Sequence, residues 1–404
     1  MGLDEVLAAA AGVDWSRLGE RALCDACLGR LFGKAGHGFT NPERGRAVRS
    51  AHGLPASPCS LCGGLLDEVP KFADLVAAKL EPWEVRTFLI GSRVDPELAA
   101  KEEALWVELG LASGEPVKNE VNREVGKLVT AKTGKAVDLR RPDVAAIVDT
   151  QFDVVDLEVA PLFLYGRYRK LSREIPQTRW PCRRCRGKGC DHCGGKGKMY
   201  ETSVEEVVAA EVMKQTDGTG HALHGMGRED VDALMLGNGR PFVLEVSQPR
   251  RRTVDLTMVA GAVNRSGVVE VEGLRSSDRD EVVALKADRA DKTYRARIRF
   301  AEAVDAAKVK EGLAALARAR IAQRTPVRVS HRRADAVRER SVKGAELLAA
   351  DGREAEVLLT AEAGTYVKEA LHGDGGRTVP SLAGILGVPC EVLALDVMRI
   401  HDVG

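Results

Sequence analysis

Apolar positions recur at helical spacing in some stretches of the chain and alternate at strand spacing in others. The helical spacing predicts helices over Phe72 to Leu80, Pro96 to Glu108 and Ala303 to Gln323, and a short one in VPSLAGIL at 379–386. Another opens at SVEEVVAAEVMKQT, where Ser203 and Glu206 stand three apart as a capping box. Strands are expected in VDLRRPDVAAIVD (137–149), FDVVDLEVAPLFLYGRYRK (152–170), PFVLEVS (241–247), TYRARIRF (293–300), EAEVLLTAEA (354–363) and CEVLALDVMRI (390–400). In TYRARIRF the alternation groups Tyr294 with Ala296, Ile298 and Phe300, opposite Arg295, Arg297 and Arg299. Strands and helices follow one another irregularly, with no glycine-rich βαβ signature, so the fold class is α+β and not a doubly wound nucleotide-binding sheet.

A chain of 404 residues exceeds one ordinary core. Punctuation in the sequence suggests a cysteine-rich module over 1–70, an α/β unit over 71–200 that ends in a second cysteine cluster, and a catalytic half over 201–404. No apolar run approaches the roughly 20 residues of a bilayer span. Acids precede the short alanine run of the N-terminus, the reverse of a secretory leader, so a cytoplasmic location and no membrane partner are expected. A monomer is expected as well.

The net charge of +1 selects no partner by itself, so a nucleic-acid surface must come from local clustering. Such clusters exist: Arg183, Arg184, Arg186, Lys188 and Lys196; the triplet Arg250, Arg251 and Arg252; and Arg324, Arg328, Arg332, Arg333, Arg338 and Arg340 with His331. A further stretch interleaves rings and cations, Tyr165, Arg167, Tyr168, Arg169 and Lys170, a mixture suited to stacking and phosphate contact on RNA and equally to strand packing.

Eight of the nine cysteines form four C-x-x-C pairs. In a reducing compartment such pairs point to metal, and two knuckles complete the four-sulfur tetrahedron that zinc prefers. Cys24, Cys27, Cys59 and Cys62 read as one zinc site, and Cys182, Cys185, Cys190 and Cys193 as a compact second one whose Gly187 and Gly189 allow a tight connection; exchange of pairs between the sets stays open. Four-sulfur zinc has no open position and builds structure. Cys390, in an apolar run, is expected in the core.

No phosphate-binding loop, dinucleotide fingerprint or catalytic metal motif appears, so no organic cofactor is expected. The densest polar segment of the back half is HALHGMGREDVDALMLGNGRPFVLEV, where Arg228, Glu229, Asp230 and Asp232 cross a glycine-containing turn. A carboxylate beside a cation in such a loop could serve as nucleophile or base, or simply belong to a solvated turn.

GREDVDALMLGNGRPFVLEV resembles the catalytic motif of the archaeal and eukaryotic tRNA pseudouridine synthases with a cysteine-rich, THUMP-containing front half, the Pus ten family. RRPDVAAIVD and LYGRYRKLSREIPQTRWPC resemble the THUMP part, and DKTYRARI, VRVSHRRADAVR and AEAGTYVKEALHGDGGRTVPSL the later catalytic motifs. The resemblance implies a zinc-bearing N-terminal module, a THUMP-like RNA-binding domain, and a pseudouridine synthase domain with a mixed, largely antiparallel sheet flanked by helices. It implies isomerisation of uridine in the T-loop of tRNA, at uridine 54 and also uridine 55, without a consumed cofactor. The essential aspartate falls on Asp230, with Arg228 and Lys368 as its basic companions; a related motif carries threonine where Glu229 stands, which leaves the role of Glu229 open. Tyr294, Tyr366 and Leu382 would line the substrate, and Arg167, Arg169, Lys170, Arg183, Arg184 and Arg186 would meet RNA. A zinc-dependent tRNA-binding protein without catalysis is the competing expectation.

Overall fold

The computed structural model describes residues 2–55, 58–111, 114–330 and 333–402. His331 and Arg332 of the third basic cluster therefore lie outside the described residues. The chain parts into two compact units, Met1–Pro161 with Gln248–Arg252, and Leu162–Ser247 with Thr253–Gly404.

The first unit contains α1 (Leu3–Ala11), α2 (Asp25–Arg30), α3 (Asn41–His52), α4 (Val69–Leu80), β1 (Thr87–Arg93), α5 (Pro96–Glu108), α6 (Val117–Thr133), β2 (Ala136–Val137), β3 (Val144–Asp149) and β4 (Val154–Val159). Helix α3 starts where Thr40 and Glu43 form a capping box and stops at Gly53, whose φ of 62° few other residues adopt. Helices α2 and α3 touch at Gly29 and Gly45, where any β-carbon would strike the backbone carbonyls of Asn41 and Asp25. The sheet has the order β2-β1-β3-β4, with β1 parallel to both neighbours and β3 antiparallel to β4. Alternation buries Phe88 and Ile90 of β1 and Val144, Ala146 and Val148 of β3 in one core with Phe72 and Val76 of α4 and Val121 and Val125 of α6.

The second unit holds β5 (Leu162–Lys170), α7 (Val204–Thr216), β6 (Gly220–Gly225), β7 (Met235–Ser247), α8 (Leu256–Asn264), β8 (Val269–Ser277), α9 (Arg279–Ala287), β9 (Asp291–Phe300), α10 (Ala306–Arg318), β10 (Arg320–Arg324), β11 (Val337–Asp351), β12 (Glu354–Ala361), α11 (Val367–His372), β13 (Thr378–Val379), α12 (Leu382–Leu386) and β14 (Cys390–His401). Its sheet runs β13-β10-β11-β12-β9-β14-β7-β5-β8, with β6 added against β7. Among the described residues its pairings are antiparallel except β14 with β7, which makes the sheet mixed and largely antiparallel as expected. Two buried clusters face it, one around Tyr168, Phe242 and Leu244, the other around Ile298, Leu313 and Leu359.

Three expectations change. The apolar run 152–170 is two strands: Pro161 interrupts it, and β5 leaves β4 to lie between β7 and β8. The second unit accordingly begins at Leu162 rather than near residue 201. The helix expected over 303–323 ends at Arg318, because Ile321 and Gln323 are buried while Arg320, Ala322 and Arg324 are exposed, a period-two pattern that pairs as β10.

Candidate active site and cysteine clusters

The loop between β6 and β7, Met226 to Leu234, carries the motif acids. Asp230 is 40% exposed at its side chain and meets two cations. Arg328, from the turn after β10, places Nη1 at 3.1 and 3.0 Å from Oδ1 and Oδ2 of Asp230, and Lys368 of α11 lies 3.5 Å from Oδ2. Lys368 also donates to Asp232, at 3.0 Å from Oδ2, and Asp232 is the more exposed acid at 68%. The sequence singled out Lys368; it missed Arg328 as a companion of Asp230, since Arg328 reads there only as one of a basic cluster.

Both cations are held from behind. Arg328 Nε donates to the Glu369 carboxylate at 2.6 Å, and that carboxylate is buried. The start of α11 is fixed by Gln323, which exchanges two hydrogen bonds of 2.9 Å with the backbone of Tyr366. The guanidinium groups of Arg328 and Arg333 both lie 5.9 Å from the centre of the Tyr366 ring, and Arg333 donates to its hydroxyl at 3.1 Å. Lysine in the first turn of a helix faces the positive dipole end, and the paired acids of the β6–β7 loop offset that.

Tyr294, in β9 opposite Val397 of β14 and Leu359 of β12, is close enough to Asp230 and Glu229 to feel their charge; burial first, and these acids after it, push its hydroxyl above its usual range. Leu382 is fully buried at the head of α12, beside Gly312 of α10, so it belongs to the core under the site. The Arg228 guanidinium lies over the Trp180 ring, 4.9 Å from the centre, while the ion pairs of Asp230 run to Arg328 and Lys368.

The basic strand is a second correction. Along the interior strand β5 burial alternates, with Tyr168 and Lys170 on a buried face and Tyr165, Arg167 and Arg169 on a partly exposed one. Lys170 is fully buried, and Arg167 is spent on the carbonyls of Asn238 and Gly239 and on Asp402, 2.6 Å away, so neither presents itself to RNA. Arg169 is half-buried and paired with Glu270 at 2.8 Å. By contrast Arg183, Arg184 and Arg186 are exposed on the second cysteine loop.

The cysteines gather as two sets of four, each with its sulfurs within 4.8 Å of one another, and no pair is exchanged between sets. Sulfur separations of 3.8 Å for Cys24 and Cys62, 3.9 Å for Cys182 and Cys190, and 3.9 Å for Cys185 and Cys193 suit a tetrahedron. Bonds of about 2.3 Å from each sulfur to a central zinc imply edges of about 3.8 Å. Backbone N–H groups point at the sulfurs, Cys27 at Cys24, Gly189 at Cys185 and Gly197 at Cys193, as they do where thiolates carry charge. In the first set Arg30, itself buried, donates to Cys27 Sγ at 3.3 Å and pairs with Glu102 of α5. Cys390 stands apart, its thiol pushed up to about 11 by burial.

No helix among the described residues is long and apolar enough to cross a membrane. Residues 163–401 match the family described as Pus10, C-terminal, and residues 72–149 match the archaeal Pus10 THUMP domain. The chain is 45% identical over 402 residues to the tRNA pseudouridine synthase Pus10 of Halorubrum lacusprofundi, covering 95% of this chain and 94% of the relative. It is 42% identical over 417 residues to the protein of the same name from Methanothrix thermoacetophila, with 94% and 92% covered.

Proposed function

This chain belongs to the Pus10 family of pseudouridine synthases, and we propose that it isomerises uridine in the T-loop of tRNA, at uridine 54 and also uridine 55, with Asp230 as the reacting carboxylate. The observation that carries the reading is the pairing of a partly exposed Asp230 with Arg328 and Lys368, two cations from separate elements. The T-loop assignment rests on the family resemblance of the motifs.

The reaction needs an ionised carboxylate beside the sugar of a uridine drawn out of its stack. Asp230 can attack the anomeric carbon or take the proton from C2′; either route breaks the N-glycosidic bond, frees the base to turn, and lets its C5 join the sugar, after which C5 gives up its proton, N1 carries one in its place and, in the second route, C2′ regains its own. Arg328 and Lys368 fix the direction of the carboxylate, and Tyr294 supplies a ring for the base. No redox step or group donor is required.

Each cysteine set holds one zinc ion as a structural element in this reading. The sulfur spacing and the N–H groups aimed at sulfur support it. Zinc there neutralises thiolate charge and ties turns together. The exposed Arg183, Arg184 and Arg186 of the second loop meet phosphates and position the RNA without reading its sequence.

The test is to incubate the purified protein with unmodified tRNA transcript and map pseudouridine. The wild type forms it with no added cofactor, while Asp230→Asn binds tRNA and forms none. An active Asp230→Asn beside an inactive Asp232→Asn would move the chemistry to the other acid. Binding without pseudouridine in the wild type would favour the non-catalytic reading.

A further inference from the structure

Directly beside the partly exposed Asp230 stands a glutamate that sees no water. The Glu229 side chain is 1% exposed and lies against Arg240, also at 1%, with Nε 2.9 Å from Oε2. The Tyr168 hydroxyl lies 2.9 Å from both Glu229 oxygens, and burial with the nearby glutamate pushes that hydroxyl well above its usual range, so it stays a donor. Gln177 donates its side-chain amide to Tyr168 Oη at 2.8 Å. Burying an ion pair costs several kcal/mol in desolvation for each ion, which hydrophobic residues of similar volume avoid, so such a pair is weak support for stability and asks for another reason.

The reason lies in where the other atoms of this cluster go. Arg240 Nη1 donates to the carbonyl of Met226 at 2.5 Å, and the Gln177 amide donates to the carbonyl of Gly227 at 3.0 Å. On the far side of the acid, the buried ammonium of Lys170 lies 3.4 Å from the carbonyl of Asp230 and 2.6 Å from that of Val231, with a third bond of 3.1 Å to Ile175. Four loop carbonyls flanking the carboxylate are thus gripped by side chains rooted in β5, β7 and the segment after β5, all out of solvent. Glu229 is the only anion among these gripping groups, and it compensates Arg240 while orienting it.

We propose that Glu229, Arg240, Tyr168, Gln177 and Lys170 are positioning residues that set the backbone of the β6–β7 loop and so the aim of Asp230, with the Glu229–Arg240 pair as the centre of the device. The proposal rests on Asp230 being the reacting carboxylate. It accounts for a buried acid next to that residue, where a hydroxyl residue as in the related motif could not neutralise Arg240. A carboxylate displaced by about 1 Å loses on the order of a hundredfold in rate, whereas the distant RNA contacts are untouched.

Three variants test this by single-turnover kinetics, tRNA dissociation constants and thermal unfolding. Glu229→Gln keeps shape and one acceptor but removes the charge; its single-turnover rate at saturating tRNA falls at least about tenfold while the dissociation constant changes less than about threefold. Tyr168→Phe, the gentler change, removes one donor and lowers the rate a few-fold with binding intact, which keeps the test open if Glu229→Gln fails to fold. Glu229→Asp, which restores the charge on a shorter arm, recovers part of the lost rate; a purely packing role would leave it no better than Glu229→Gln. A folded Glu229→Gln at wild-type rate would overturn the proposal, as would equal losses in rate and binding across the set. Asp230→Asn, run alongside, separates the two ideas. If it is inactive while Glu229→Gln is fully active, only the positioning role falls; if it is active, the assignment of Asp230 falls first.

Discussion

The guanidinium of Arg328 reaches the carboxylate of Asp230 from 98 positions further along the chain, with one nitrogen 3.1 and 3.0 Å from the two oxygens. Its Nε is simultaneously committed to the buried Glu369 at 2.6 Å. The residue is therefore a bridge between α11 and the β6–β7 loop, and bridging needs two donor directions.

Lysine has the charge of arginine but no fork. Arg328→Lys can serve Asp230 or Glu369, not both, and it is expected to stay at least about tenfold below the wild-type single-turnover rate, with Arg328→Met lower still. Binding of tRNA should change only a few-fold in either. Full activity in Arg328→Lys would show that charge alone suffices and that the bridge is dispensable.

The two cysteine sets predict a stoichiometry. Two zinc ions per chain are expected by metal analysis of the purified protein; Cys185→Ser should remove one, and Cys24→Ser the other. Because the sets lie in different compact units, each substitution should loosen its own unit and leave the second one's unfolding transition in place. Less than one zinc per chain in the wild type would contradict the sulfur geometry.

How much of this was legible beforehand depends on distance along the chain. The N-cap at Ser203 and the two cysteine sets are local patterns, and the structure has them: Ser203 Oγ accepts from the Glu206 backbone at 3.2 Å, and each set closes on itself, while the Glu206 carboxylate accepts from the Ser203 hydroxyl at 2.8 Å in place of the backbone bond that would complete the expected capping box. The helix Pro96–Glu108 and the alternation of Ala296, Ile298 and Phe300 are local as well. The burial of Lys170 is not legible locally, because it follows from β5 lying between β7 and β8, whose register no local pattern states. Arg328 was unreadable as a partner of Asp230 for the same reason. Glu229 looked like one more turn acid, and only the approach of Arg240, eleven residues on in a paired strand, turns it into a buried one.

Arg183, Arg184 and Arg186 stand exposed on the second cysteine loop, and phosphate contacts there should release counterions. Binding of tRNA is expected to weaken steeply with salt, and the triple change to glutamine should flatten the slope of log Kd against log salt by roughly two. The loss should be similar for tRNAs of different sequence, since backbone contacts do not specify. An unchanged slope in the triple variant would remove this loop from the RNA interface.

Lys292, at the start of β9, gives a pH dependence whose sign can be worked out. Burial first, and the neighbouring Arg240 charge after it, lower its ammonium from 10.5 to about 8, against the partial support of Asp288, Asp291 and Asp402. The unfolded chain thus holds this proton more readily than the folded one between those two values. Stability must rise with pH across that window, because the unfolded state is the one that binds more protons there. Below pH about 8 the folded protein carries the full cost of the buried charge, and above about 10.5 it carries none. Lys292→Met removes the charge, so it should be more stable than the wild type at pH 7, by roughly 1–2 kcal/mol once the lost hydrogen bond to Ala290 is weighed against the relief of the buried charge. The advantage should shrink as pH is raised from about 8 to 10, since the wild type sheds its proton there and the variant has none to shed. Urea unfolding of both proteins at pH 7, 9 and 10 reads the gap directly, and other alkaline titrations cancel in the difference. A gap that stays constant, or widens, with pH would mean that Lys292 remains charged in the fold at neutral cost, and that Arg240 and its surroundings tolerate a second cation.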